Sequence, residues 1–128
     1  MKEPPFPTRD DIITGWIDLC HSEEGSDEYE ESFWSCMLLD NLIDNFPLDS
    51  YKVILDILAR DNSYCVVSAT GMSLLVHLIG SHGEEVIDRL EHDVRHNSDL
   101  HNALEGIYNQ GASDEVWRRV KKLVYTIN

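Results

Sequence analysis

The sequence predicts an all-α fold: a single domain of seven to eight short helices, arranged as an irregular bundle or as stacked helical hairpins. Three observations carry this. Apolar residues recur at three- and four-residue intervals along nearly the whole chain, and strand-type alternation is missing. Helix-capping residues, among them Thr8, Ser81, Ser98 and Ser113, stand just ahead of several of the periodic runs.

Pro4, Pro5 and Pro7 make residues 1–7 an extended lead-in, which leaves residues 8–128 as the helical domain. Thr8 caps the first helix, with Asp11 at the third helical position as the other half of a capping box. Ile12, Ile13, Trp16 and Cys20 carry that helix to about His21, and the polar, glycine-containing stretch from Ser22 to Ser26 breaks it. The second helix begins near Asp27, with Glu30 and Glu31 where the helix dipole favours them. It bears Phe33, Trp34, Met37, Leu38, Leu42 and Phe46 before Pro47 stops it. An apolar surface wider than one stripe places this helix at the centre of the core. A third helix starts near Asp49 and presents Tyr51, Ile54, Leu55 and Leu58.

Ser63 to Ala69 has the β-branched content of a strand but no second strand to pair with, and reads as a short buried helix. Thr70-Gly71 is a break, followed by a helix marked by Met72, Leu75, Val76 and Ile79 and closed by Gly80. Ser81 and Glu84 form a capping box that opens a helix with Val86, Ile87, Leu90 and Val94 inward. Ser98 caps the next, whose face is Leu100, Leu104, Ile107 and Tyr108. Gly111 ends a turn and Ser113 caps the last helix, which buries Val116, Trp117, Val120, Leu123, Val124 and Ile127. Its cations, Arg118, Arg119, Lys121 and Lys122, lie toward the exit, as the dipole prefers.

A chain of 128 residues is long enough for one core without a metal or disulfide staple, and 42% hydrophobic residues exclude a disordered class. The net charge of −14 repels phosphate backbones and anionic membranes, so neither nucleic acid nor a membrane is an expected partner. It attracts basic proteins. Residues 1–62 hold fifteen acidic and four basic side chains, against nine and six in the remainder. Glu23, Glu24, Asp27, Glu28, Glu30 and Glu31 put six carboxylates in nine positions without a local counter-charge. Cys20, Cys36 and Cys65 are odd in number and lack a CxxC pair, so they read as buried free thiols. The amino terminus lacks the apolar stretch of a signal peptide, and apolar runs such as Met37 to Leu39 are too short to span a membrane. The expected setting is cytoplasmic.

The second half carries a recognisable block: Gly71, Leu74 and Leu75, then His82, Gly83 and Glu84, Ile87, Leu90 and Glu91, Leu104, Gly106 and Tyr108, and finally Val116, Trp117 and Val120. It resembles a bacterial family of small helical domains of unknown function, mainly over residues 71–124. Tyr108 stands where relatives more often have Trp, and Met72 replaces a proline usual after the first glycine. The resemblance implies an all-helical fold and transfers no catalytic residue.

Asp88, His92 and His96 share one helix face at four-residue spacing, and the two histidines have the spacing of zinc ligands. Asp93 stands where an HExxH motif requires glutamate, so this face reads as solvated and no metal or cofactor is assigned. An EF-hand loop is also missing. His82 reads as organising a helix start, and His77, between Val76 and Leu78, as half-buried.

The function expected is that of a non-enzymatic acidic domain that neutralises a basic protein partner, such as a toxin, in the manner of an immunity protein. Its binding surface comprises Glu23, Glu24, Asp27, Glu28, Glu30, Glu31, Asp40 and Asp44, with Asp49, Asp56 and Asp61 extending it and Trp34 or Tyr29 as an aromatic anchor. The alternative is a structural or regulatory domain that forms homo-oligomers. A hydrolase built on His82 or on His92 and His96 ranks third.

Overall fold

Thr8 forms the capping box read from the sequence. Its hydroxyl accepts the Asp11 N–H at 3.1 Å, and the Asp11 carboxylate accepts the Thr8 N–H at 3.0 Å, opening α1 (Arg9–His21). This computed structural model describes residues 1–126. Ser26 caps α2 (Asp27–Ser32) by accepting the Tyr29 N–H.

The single helix expected from Asp27 to Phe46 is two helices. At Phe33 the backbone N–H bonds the carbonyl of Glu30, three residues back rather than four, and the Cys36 N–H bonds Phe33 in the same way. The Ser32 carbonyl takes the Ser35 hydroxyl instead, at 2.8 Å. The tightened turn re-aims the chain, which continues as α3 (Trp34–Asn45). The apolar surface of α3 is narrower than expected. Trp34, Leu39 and Ile43 are buried, Leu38 and Leu42 half-buried, and Phe33, Met37 and Phe46 exposed.

Helix α4 (Pro47–Arg60) starts two residues before Asp49, because Pro47 occupies its first position. Proline suits that place: its φ is already helical, and an N–H there would have no intrahelical partner. Buried Tyr51, Ile54, Ile57 and Leu58 make α4 a central element, and the Tyr51 hydroxyl donates to Asp93 at 2.8 Å.

The segment Ser63 to Ala69 is helical as read, forming α5 (Tyr64–Ala69). The break expected at Thr70-Gly71 is not there. The chain widens into a π-helical segment (Thr70–Leu75) and continues as α6 (Val76–Val94). Gly71 serves a close approach rather than a helix end: a Cβ there would lie 2.0 Å from the Ala103 carbonyl oxygen. Beside it, the buried Thr70 hydroxyl accepts the Trp16 indole N–H at 3.1 Å.

The stop expected at Gly80, with a new cap at Ser81, appears instead as a kink inside α6 at His82 (φ −137°, ψ 30°). His82 Nδ1 lies 3.1 Å from the Glu85 carboxylate. Beyond the kink, Val116 packs so closely on Gly83 that a Cβ would come within 2.6 Å of its Cγ1. The span Tyr64–Val94, 31 residues across the π-helical segment and the kink at His82, is long and apolar enough by length and composition to cross a membrane. That corrects the impression left by the short apolar runs. Half of its most apolar window is buried in the protein, and Leu74, Leu75 and Leu78 are fully enclosed.

Asn97, rather than Ser98, caps α7 (Ser98–Leu104), its side-chain oxygen accepting the Leu100 N–H at 3.0 Å. Ile107 and Tyr108 lie beyond that helix, and Tyr108 is exposed. Ser113 caps α8 (Asp114–Thr126) as read, by accepting the Val116 N–H at 3.2 Å. Val116, Val120 and Leu123 are buried, Trp117 and Val124 half-buried, and Ile127 lies outside the described residues. Helix α1 packs on α3, α4 and α5, α6 reaches α3 and α4, and α8 closes over α6 and α7. The described residues contain no strand.

Candidate functional site

The loop and helix that follow α1 expose all six carboxylates of the dense acidic run. Glu23, Glu24, Asp27, Glu28, Glu30 and Glu31 are each exposed, and none of them enters an ion pair among the described residues. The local reason is the Ser26 cap. It starts a helix whose first turn tolerates Asp27, Glu28 and Glu30 through the dipole, while the short element turns its acidic side to water.

Tyr29 sits among them, half-buried. Burial pushes its phenol above the ordinary tyrosine value, and Glu24 and Glu30 push it further. Its ring lies 5.9 Å from that of Phe33 in a tilted arrangement. Phe33 is 40% exposed and Met37, one turn on, is 63% exposed. Tyr29 meets Phe33 across the turn between α2 and α3, and Met37 follows Phe33 in the first turn of α3, so exposed apolar side chains border the acidic run.

Trp34 is not available as an anchor. It is buried, and its indole N–H donates to the Met1 carbonyl at 2.9 Å. The sequence placed Phe33 and Met37 in the core; the signal missed was their four-residue spacing at the start of α3, out of phase with Leu39 and Ile43.

Asp40 and Asp44 are exposed but already engaged. His77 of α6 lies between them, with Nδ1 3.2 Å from Asp40 and Nε2 2.8 Å from Asp44. Asp56 pairs with Arg9. Asp49 is exposed on the first turn of α4. The unpaired acidic field is therefore concentrated at residues 23–31.

The histidine face of α6 resolves differently from its sequence spacing. Asp88 bonds Arg119 of α8 at 2.7 Å, and Arg119 also forms a two-pronged pair with Glu91, holding that carboxyl below the usual glutamate value. His92 and His96 are left as exposed neighbours, ring centroids 6.0 Å apart. No group of three or more His, Cys, Asp or Glu side chains suited to a metal occurs among the described residues. His82 lines a cleft of about 270 Å³ with Gly80, Gly83 and Ser113, and its bonded partner is Glu85.

A second arrangement had no sequence signal. His21, at the end of α1, places Nδ1 3.2 Å from Cys65 Sγ and Nε2 2.8 Å from Asp61 Oδ2. The Ser63 N–H donates to the other Asp61 oxygen at 2.9 Å. The bonds from Ser63, then that from His21, hold the Asp61 carboxyl down to about 2. An ionised carboxylate only accepts, so Nε2 carries a proton and Nδ1 is the acceptor facing the thiol when the ring is neutral. Burial pushes Cys20 up to about 12 and raises Cys36 as well.

No curated protein and no solved structure matches the chain. A family model does match, and it extends well to the left of the block that carried the resemblance, reaching back through α2, α3 and α4. With residues 22–126 matched, the chain belongs to a family of unknown function, DUF6869.

Proposed function

We propose that the protein is a non-enzymatic acidic docking domain that binds and neutralises a basic protein. The observation that carries this is the set of six exposed, unpaired carboxylates of residues 23–31 beside the exposed Phe33 and Met37. A charged field speeds encounter with a partner of opposite sign and rejects others. An aromatic and a methionine at its border supply the apolar contact from which affinity grows. An immunity-protein-like inhibitor of a basic toxin is the specific form we favour. Three free thiols fit a reducing, cytoplasmic setting.

A second reading, self-association, is favoured by one feature. Tyr108 and Tyr125 are exposed, and Tyr125 borders a shallow groove lined by Leu104, Ile107, Trp117 and Val124. In that reading the protein is a structural or regulatory homo-oligomer.

Affinity capture from source-cell lysate separates them, run at about 0.05 M and about 0.5 M salt, because exposed charges are strongly screened over that interval. The docking reading predicts a basic protein retained at low salt and released at high salt. A Glu24→Gln, Glu28→Gln, Glu31→Gln bait should lose it. Equal retention by that bait overturns the docking face. A chain that captures nothing and is dimeric by light scattering favours self-association.

A further inference from the structure

We propose that Cys65, His21 and Asp61 form a nucleophilic thiol site that takes an RS– group from low-molecular-weight disulfides, neutral or cationic ones in preference to anionic ones. The inference is independent of the acidic docking face. Geometry carries it: a thiol 3.2 Å from one imidazole nitrogen, whose other nitrogen is fixed 2.8 Å from a carboxylate. Such an arrangement leaves the imidazole aimed to take the thiol proton, and the thiolate is the nucleophile in disulfide exchange. Cys65 lies at the second position of a helical run that continues to Val94, where the dipole also favours a thiolate.

The step is a single exchange. Cys65 passes its proton to His21 Nδ1 as its sulfur attacks one sulfur of the disulfide. The S–S bond of the reagent breaks as the Cys65 S–S bond forms, and the departing thiolate takes the proton from His21 and leaves as a thiol. Cys65 is oxidised and the leaving sulfur is reduced, so no further oxidant is needed. Asp61 is a positioning residue, fixing the tautomer and orientation of His21. The preference for cationic reagents follows from Asp61, whose carboxylate lies 2.8 Å from the His21 ring.

The test uses the full folded chain with its three cysteines as internal comparators. It is treated at neutral pH with cystamine or with oxidised glutathione, and the modified peptides are quantified by mass spectrometry over time. Cys65 should form the mixed disulfide at least roughly tenfold faster than Cys20 or Cys36, and faster with cystamine than with oxidised glutathione. His21→Asn, with its fold checked by circular dichroism, should slow Cys65 by about tenfold. Asp61→Asn should slow it too, and Asp61→Glu should restore part of the rate. Cys65 reacting no faster than the other two thiols overturns the site without any variant. So does an unchanged Cys65 rate in folded His21→Asn. Oxidised glutathione reacting as fast as cystamine overturns the preference for cationic reagents.

Discussion

Asp61 joins two parts of the molecule through its two oxygens, one accepting the Ser63 N–H and the other the His21 ring. Its pKa is lowered to about 2 in the folded chain, so its charged form stabilises the fold at neutral pH. That contribution is present above the ordinary carboxylate value and is lost as pH falls from about 4 through about 2. Asp61→Asn should therefore destabilise by roughly 1 kcal/mol at neutral pH, after allowing for solvent screening. The gap from the parent protein should narrow below about pH 4 and close only below about pH 2, read from urea midpoints across that range. Tyr51→Phe tests a second link, since it removes the bond to Asp93; a loss of about 1 kcal/mol in urea denaturation is expected. Local pairings such as Thr8 with Asp11 were legible in the sequence because both partners lie within one turn. The approach of His21 to Cys65, 44 residues apart, was not, because it depends on how α1 meets the start of α5.

At the scale of elements, the informative departures from the sequence reading are the π-helical segment and the kink at His82. Gly71 looked like a helix breaker, yet it stands inside a continuous helix because Ala103 of α7 crosses it at backbone distance. Glycine signals both uses in the same letter, and only the crossing distinguishes them. Gly71→Ala should destabilise by about 3 kcal/mol or more, because backbone rather than a flexible side chain must move. Gly106→Ala, with open space around the added methyl, should stay within about 0.5 kcal/mol of the parent. Chemical denaturation of the two variants side by side checks both values. Caps were read well where the side chain had no competitor, as at Ser113. They were displaced by one residue where Asn97 stood ahead of Ser98, the better-placed oxygen taking the N–H of Leu100. The Phe33 hinge was invisible for a related reason: its i−3 bonds leave the residue in ordinary right-handed dihedrals, with neither proline nor glycine to mark it.

Across the whole molecule, the folded surface of 7159 Å² is close to the roughly 6,900 Å² that scaling gives for this mass, so one core accounts for the chain. The all-α class and the acidic asymmetry were legible, since periodicity and charge are properties of the sequence itself. Which acidic groups remain unpaired was not, because His77, Arg9 and Arg119 reach Asp40, Asp44, Asp56, Asp88 and Glu91 from other elements. The residual field of residues 23–31 repels itself, so raising salt from about 0.01 M to about 0.2 M should raise the thermal midpoint by a few degrees. The Glu24→Gln, Glu28→Gln, Glu31→Gln variant should show a smaller rise.

The most direct test of the docking face is amide hydrogen exchange of the protein alone and in complex with the basic protein it captures. Exchange should slow over residues 23–37, covering the acidic run, Phe33 and Met37, with α8 unchanged. Protection confined to α7 and α8, with residues 23–37 exchanging as freely as in the isolated chain, would contradict it.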